Sequence, residues 1–270
     1  MKIIKESILS RSSHGVRGFE DQRGRMIESW LKEYKIKNYT INDDFTIDVD
    51  GSVDLRDKKL KEFPEYIQFG VVKGTFSCYK NQLTSLRGCP REVQDYFACS
   101  ENKLTSLEGA PEKVGDGFDC SYNQLILLEG GPKEVGGTFF CSNNKLTSLK
   151  YLPKDLVSLN CSHNKITQLD YLPTVVKGFF ECSYNQLTSL EGAPEEVGGA
   201  FNCSYNQLTS LEGAPRKVGK DFYCINNQLT SLKGSPKEVG GFFRYTSDNV
   251  QFTEEDVRKV CKVKGEIIYF

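Results

Sequence analysis

Leu156-Val-Ser-Leu159-Asn-Cys161-Ser-His-Asn164-Lys-Ile166 sets a frame that recurs in both directions along the 270-residue chain. Cysteines stand at Cys78, Cys99, Cys120, Cys141, Cys161, Cys182, Cys203 and Cys224, stepping by 21 residues with one step of 20 between Cys141 and Cys161. Three residues after each comes an asparagine, from Asn81 through Asn164 to Asn227. An aliphatic residue follows two positions on (Leu83, Ile166, Leu229), a second three beyond that (Leu86, Leu169, Leu232), and a proline four later, from Pro90 to Pro236. Two residues before each cysteine stands a phenylalanine, with Leu159 the one substitute. A fixed period of roughly 20–50 residues marks a solenoid in which each repeat is one coil. Degenerate copies flank the eight: Val53, Leu55, Leu60 and Phe63 in front, with Lys58 in the asparagine slot, and Phe243, Tyr245, Asp248 and Val250 behind. Terminal repeats are atypical because one of their faces has no neighbour, so ten coils are expected over residues 53–252.

These residues carry a resemblance. The quoted stretch matches the pattern L-x-x-L-x-L-x-x-N-x-L position by position, with cysteine in the third apolar slot, and so resembles a leucine-rich repeat. The other central copies replace its first part with Val-Gly-Gly-x-Phe, one residue longer. The period and the trailing Leu-Pro or Ala-Pro are similar to the short repeats of secreted bacterial effector proteins. The run Cys182–Gly199, CSYNQLTSLEGAPEEVGG, is similar to leucine-rich-repeat proteins of tailed bacteriophages. The resemblance covers about three quarters of the chain. It implies a repeat solenoid, mainly β with short parallel strands: a horseshoe of about ten coils of 20–23 residues with small caps. It implies nothing as definite about role, because one fold hosts many functions.

The physics of one repeat agrees. Phe201 and Cys203 are two apart and point to one side of a strand, while Asn202 and Ser204 point to the other. Parallel strands about 4.8 Å apart give ten coils a length of about 45–50 Å. A buried large side chain contributes about 1.5–3 kcal/mol against a backbone ordering cost of about 1–2 kcal/mol per residue, so a coil is stable only when stacked on others. The asparagine carboxamide offers both a donor and acceptors to backbone groups left unpaired where the chain turns after the strand. The return segment, for example Glu191-Gly-Ala-Pro-Glu-Glu-Val-Gly-Gly199, is too rich in breakers for a regular helix and reads as extended structure. Residues 1–52 form an N-terminal cap, with an amphipathic helix over residues 24–36 and a hairpin of Tyr39–Ile41 with Phe45–Val49. Residues 8–20 show no period. Residues 253–270 form a C-terminal cap, in which Thr253 begins a helix carrying Val257, Val260 and Val263 until Gly265 breaks it.

Composition excludes several classes. With 35 Lys+Arg against 36 Asp+Glu, the chain lacks the basic footprint that nucleic acid or an anionic membrane selects. No apolar stretch approaches the roughly 18 residues of a membrane helix. Polar residues interrupt the N-terminus before a secretory apolar region forms, so a cytoplasmic location is expected, that of a host cell if the chain is phage-encoded. There ten cysteines stay reduced and act as small core hydrophobes. A ladder spreads thiols along an axis instead of converging them on a metal, and Asp48-Val-Asp50-Gly51-Ser-Val-Asp54 lacks the later glutamate of a calcium loop. His14 and His163 have no partner at catalytic spacing. The tail after Phe252 contains no Cys-x-Asp, which argues against the ubiquitin-ligase domain that follows similar repeats in some effectors. No catalytic residue, cofactor or metal is expected.

What varies is surface. The slot before each cysteine reads Ser77, Ala98, Asp119, Phe140, Asn160, Glu181, Asn202, Tyr223, Arg244; two after it come Lys80, Glu101, Tyr122, Asn143, His163, Tyr184, Tyr205, Asn226. Aromatic side chains with an arginine on a rigid concave sheet have the composition of a protein-binding patch. The candidate contacts are Tyr79, Tyr122, Phe140, Tyr184, Tyr205, Tyr223 and Arg244; Phe140, Tyr223 and Arg244 break their columns most sharply. The plainer alternative for the tyrosines two after cysteine is that they cover the turn. A non-enzymatic scaffold for a protein partner follows, in its phage form a modulator of a host defence protein. The alternatives are a structural or self-assembling component, such as a virion protein, and an N-terminal segment that acts while the repeats hold it.

Overall fold

The computed structural model describes residues 14–246 and 252–270. Helix α1 (His14–Glu33) begins well before the expected position 24 and stops three residues short of 36. Its apolar spacing places Ile27, Trp30 and Leu31 in the core, where the Trp30 ring lies 6.2 Å from both Phe63 and Phe69. Strands β1 (Tyr39–Ile41) and β2 (Ile47–Val49) form the expected antiparallel hairpin. Strand β2 then pairs in parallel with Phe69–Val72, so the hairpin starts a sheet that the coils continue.

A typical coil supplies two short strands to opposite sides of one core. Among the described residues, an eleven-stranded parallel sheet runs from Val53–Asp54 to Ile267–Tyr269. Its register pairs phenylalanine with phenylalanine, as in Phe76 with Phe97 and Phe201 with Phe222. The return segments are extended, as their composition implied, and most bury one valine in a two-residue strand such as Glu92–Val93 or Glu196–Val197. These strands form a six-stranded and a five-stranded sheet. The break between the two falls between Glu134–Val135 and Val175–Val176, where the single 20-residue repeat puts Leu156 in the slot that valine fills in the other copies.

Between the sheets, Phe, Cys, two Leu and Val from each coil are buried. The rings stack from coil to coil, Phe76 on Phe97 at 5.6 Å and Phe97 on Phe118 at 5.4 Å, until Leu159 divides the column. The asparagines bind successive coils. Asn102 Nδ2 donates to Cys99 O of its own coil and Cys78 O of the coil before, while its Oδ1 accepts the Leu83 N–H at 2.9 Å. The same three-way contact recurs at Asn123, Asn144, Asn164, Asn185, Asn206 and Asn227. At the front edge Asn81 serves the degenerate coil, accepting from Lys58 N and Leu60 N.

The C-terminal segment departs from expectation. Thr253 caps α2 (Glu254–Val260) through a capping box with Asp256, but Val263 is not helical. It lies in Lys262–Val263, paired with Glu238–Val239, and Ile267–Tyr269 pairs with Phe243–Tyr245. The segment thus adds one more coil in which α2 replaces part of the loop. Asp248 and Val250, assigned above to the last degenerate repeat, lie outside the described residues.

Candidate partner-binding face

On the outer face of the eleven-stranded sheet, side chains stand in columns because every strand is in register. The column before the cysteines is present as read. A second column, three residues before each cysteine, was missed: Thr75, Tyr96, Gly117, Thr138, Ser158, Phe179, Ala200, Asp221, Phe242. The period-two alternation that placed the first column extends one step further back along the strand, which is the signal that finds it.

The residues two after each cysteine are not strand residues. From Lys80 to Asn226 they adopt positive φ between 50° and 57°, a left-handed turn that closes the strand, and they stand at the edge of the face. Tyr122 is 57% exposed there and makes no ring contact with a neighbour among the described residues. His163, Tyr184 and Tyr205 occupy consecutive coils and stack face on face at 4.1 and 4.0 Å. The outer two rings therefore already spend much of one face on a neighbour, and Tyr184 both of its faces.

The structure divides the seven candidates into separate groups. Tyr223 and Arg244 are direct cross-strand partners. The Arg244 guanidinium lies 5.2 Å from the Tyr223 ring centroid and 4.9 Å from that of Phe242. Asp221 braces the group, accepting the Tyr223 hydroxyl and the Phe242 N–H at 2.8 Å each. Arg244 Nε is shielded from solvent and has no hydrogen-bond partner among the described residues. Phe140 sits 6.4 Å from Phe179 of the missed column. Between these two groups the face is polar and internally bonded, with Asn202 Nδ2 donating to Glu181 Oε2 at 2.9 Å. Tyr79 lies at the far end beneath the Arg56 guanidinium, 5.9 Å away.

The thiols point into the core. All ten cysteines are buried and unbridged, and burial drives those of Cys99, Cys120, Cys141, Cys161, Cys182 and Cys224 well above the ordinary thiol range. Several donate to the next coil's backbone, as Cys182 Sγ does to Asn202 O at 3.3 Å. Asp48, in the segment likened to a calcium loop, accepts the Val71 N–H at 2.7 Å and the Asn42 amide at 3.1 Å. Its carboxylate thereby ties the hairpin to the first coil.

A short strand, an in-register apolar ladder and an asparagine that bridges coils define a leucine-rich-repeat solenoid with an uninterrupted outer sheet face. No protein-family model matches the sequence, and the search of curated proteins found no match. Among solved structures the chain is similar to YopM from Yersinia enterocolitica WA-314, with 17% identity, covering 80% of this chain and 69% of that one, at a TM-score of 0.45. Among the described residues, no helix is long and apolar enough to cross a membrane.

Proposed function

We propose that the protein is a non-catalytic scaffold that holds a protein partner against its eleven-stranded sheet. The observation that carries this reading is the Tyr223–Phe242–Arg244 group. Its guanidinium is fixed between two rings on a rigid sheet, so little side-chain entropy remains to be lost on binding. Tyr and Arg anchors of this kind dominate protein interfaces. A carboxylate presented by the partner would complete the arginine's hydrogen bonding.

The test is capture of a partner from the native cell, followed by affinity measurement with the purified pair. Changing Tyr223 and Arg244 together to alanine should weaken binding by at least about 2 kcal/mol, roughly 30-fold, whereas Lys113→Ala on the opposite side should not. Equal affinities for the two variants would move the site off this face. In the finer form of the reading the chain is phage-encoded and acts in the host cytoplasm, and its partner is a host protein such as a defence component. The likeness of the Cys182–Gly199 run to phage repeat proteins supports that form.

The self-assembly alternative draws on one observation, that among the described residues the eleven-stranded sheet is open, with Val53–Asp54 and Ile267–Tyr269 its outermost strands, a topology that can pair with another chain. Light scattering over a concentration series distinguishes the two: a constant mass fits the scaffold, growth with concentration the polymer. The N-terminal alternative is best tested by a deletion ending at residue 13, because α1 starts at His14.

A further inference from the structure

The scaffold reading leaves unused a depression at the opposite end of the same face. A cavity of about 570 Å³ opens there over the first four strands. Its floor is Ser77, Ala98 and Ser100, the run where the face carries its smallest side chains; all three are buried by their neighbours. Asp54 and Asp119, two coils to one side and one to the other, form the end walls. Tyr96 forms a side wall and is held there by packing: a Cβ added to Gly117 would meet its Cε2 at 2.6 Å.

The charges in the lining do not cancel. Asp54 is satisfied by Arg56, which grips it with Nε and Nη2 at 2.8 Å each. Asp119 and Glu101 have no such partner among the described residues. Asp119 Oδ1 accepts the Ser121 N–H at 2.9 Å, and no described residue bonds its Oδ2. Lys80, beside Glu101 in the turn column, is held by Asp57 at 3.1 Å. Burial and the nearby Asp119 and Asp116 carboxylates raise the Tyr96 phenol above its ordinary range, so the wall is a neutral ring with a hydroxyl at its tip.

We propose that this depression receives the guanidinium of an arginine side chain presented by the partner polypeptide, a refinement that rests on the scaffold reading. An anion would meet two uncompensated carboxylates, and an apolar group would bury the Asp119 oxygen without a hydrogen bond. An ammonium ion is strongly hydrated and gains little from a flat ring. A guanidinium is planar and weakly hydrated, stacks on tyrosine, and presents paired donors to a carboxylate. The volume lies within the range of about 300–1,000 Å³ typical of ligand sites, enough for the side chain and its flanking backbone.

The experiment needs no partner. The full chain, labelled with nitrogen-15, is titrated with N-acetyl-arginine N-methylamide. Saturable shifts at about millimolar affinity should be confined to the amides of Ser77, Ala98, Ser100 and Ser121. The lysine analogue should bind several-fold more weakly, and the neutral citrulline analogue should not bind. Asp119→Asn should weaken binding at least about 5-fold, and Ala98→Leu, which fills the floor, should abolish it, each with an unchanged melting curve. Equal binding of the citrulline analogue, insensitivity to Asp119→Asn, shifts spread over other coils, or no binding at all would overturn the proposal. The scaffold reading stands or falls separately, on the Tyr223 and Arg244 variants.

Discussion

Replacing Asn206 separates the two jobs of its carboxamide. Its Oδ1 accepts the Leu187 N–H at 3.0 Å, while Nδ2 donates to Cys203 O at 3.0 Å and to Cys182 O and Ser204 O at 3.2 Å. In Asn206→Leu the Leu187 N–H loses its partner inside the protein, at about 1–3 kcal/mol. The cysteine carbonyls lose less, because Cys182 O keeps Asn185 and Cys203 O keeps Asn227; each loss is a net bond of about 0.5–1.5 kcal/mol. The sum is about 2–6 kcal/mol, independent of pH. Asn206→Asp keeps the acceptor but sets a second carboxylate oxygen against carbonyls that need a donor. Only the protonated acid can donate there, so its folded-state pKa lies above the unfolded value of about 3.9. A raised folded pKa means stability that is present below the unfolded pKa and lost as pH rises. The penalty of Asn206→Asp should therefore be smallest at about pH 4 and grow by about 1.4 kcal/mol per pH unit until the folded pKa is reached. Urea unfolding of wild type and both variants at intervals from pH 4 to 8 measures this. A flat Asn206→Asp penalty across that window, or an Asn206→Leu cost below about 1 kcal/mol, would refute the assignment of these bonds as the tie between coils.

Three further outcomes follow from local geometry. A thiol reagent added to native protein should label the eight repeat cysteines only at the rate of unfolding; Cys261, whose thiol is pushed up only to about 11, should react first, and rapid labelling of all ten would contradict the burial. Gly109→Ala should cost about 1–3 kcal/mol, read from the melting temperature, because Gly109 sits at φ +89° and a Cβ would lie 2.7 Å from the Leu86 carbonyl carbon. Thr253→Ala removes the hydroxyl that accepts the Asp256 N–H and donates to Asp256 Oδ2, leaves the Thr253 N–H to Asp256 arm of the capping box in place, and should lower stability by about 1 kcal/mol, a loss that Thr253→Ser should largely avoid.

The solenoid was legible because burial writes the same residues into every coil. Phe201, Cys203, Leu208, Leu211 and Val218 each occupy a slot whose neighbours above and below are the same slot, so the core repeats in sequence as it does in space. The caps were less legible for the same reason. Val263 keeps the spacing of a helix started at Thr253, yet the open edge at Glu238–Val239 offers backbone hydrogen bonds that a local pattern does not encode, and it becomes a strand. The face was legible in part. Tyr223 and Arg244 were found as breaks in a column, but Phe242 and Asp221, which hold them, lie in a column one residue before the strands Phe243–Tyr245 and Phe222–Cys224 begin, which a reading that starts each strand at its phenylalanine leaves out. Tyr184 and Tyr205 were read as contacts of the sheet face, with covering the turn as the alternative, because the left-handed backbone after cysteine, with φ of 52° and 55°, leaves no mark in residue types that tolerate it.

The same register that makes the core repetitive makes the face a ruler. From Asp119 to Arg244 there are six strand steps, or about 29 Å at about 4.8 Å each. Both ends are fixed to one sheet whose coils are tied by the asparagines, so neither can move to suit a ligand without breaking those ties. The N-terminal end offers uncompensated carboxylates beside Tyr96, and the C-terminal end a guanidinium clamped by Tyr223 and Phe242. A formal charge near zero for the whole chain conceals this separation. A flexible partner could satisfy either end alone, but engaging both requires opposite charges held about 30 Å apart on a surface rigid enough to keep that spacing. On the proposed scaffold reading, selectivity on this face would lie in the distance between anchors more than in either anchor, because each is a common chemistry and only their separation is particular to this array of coils.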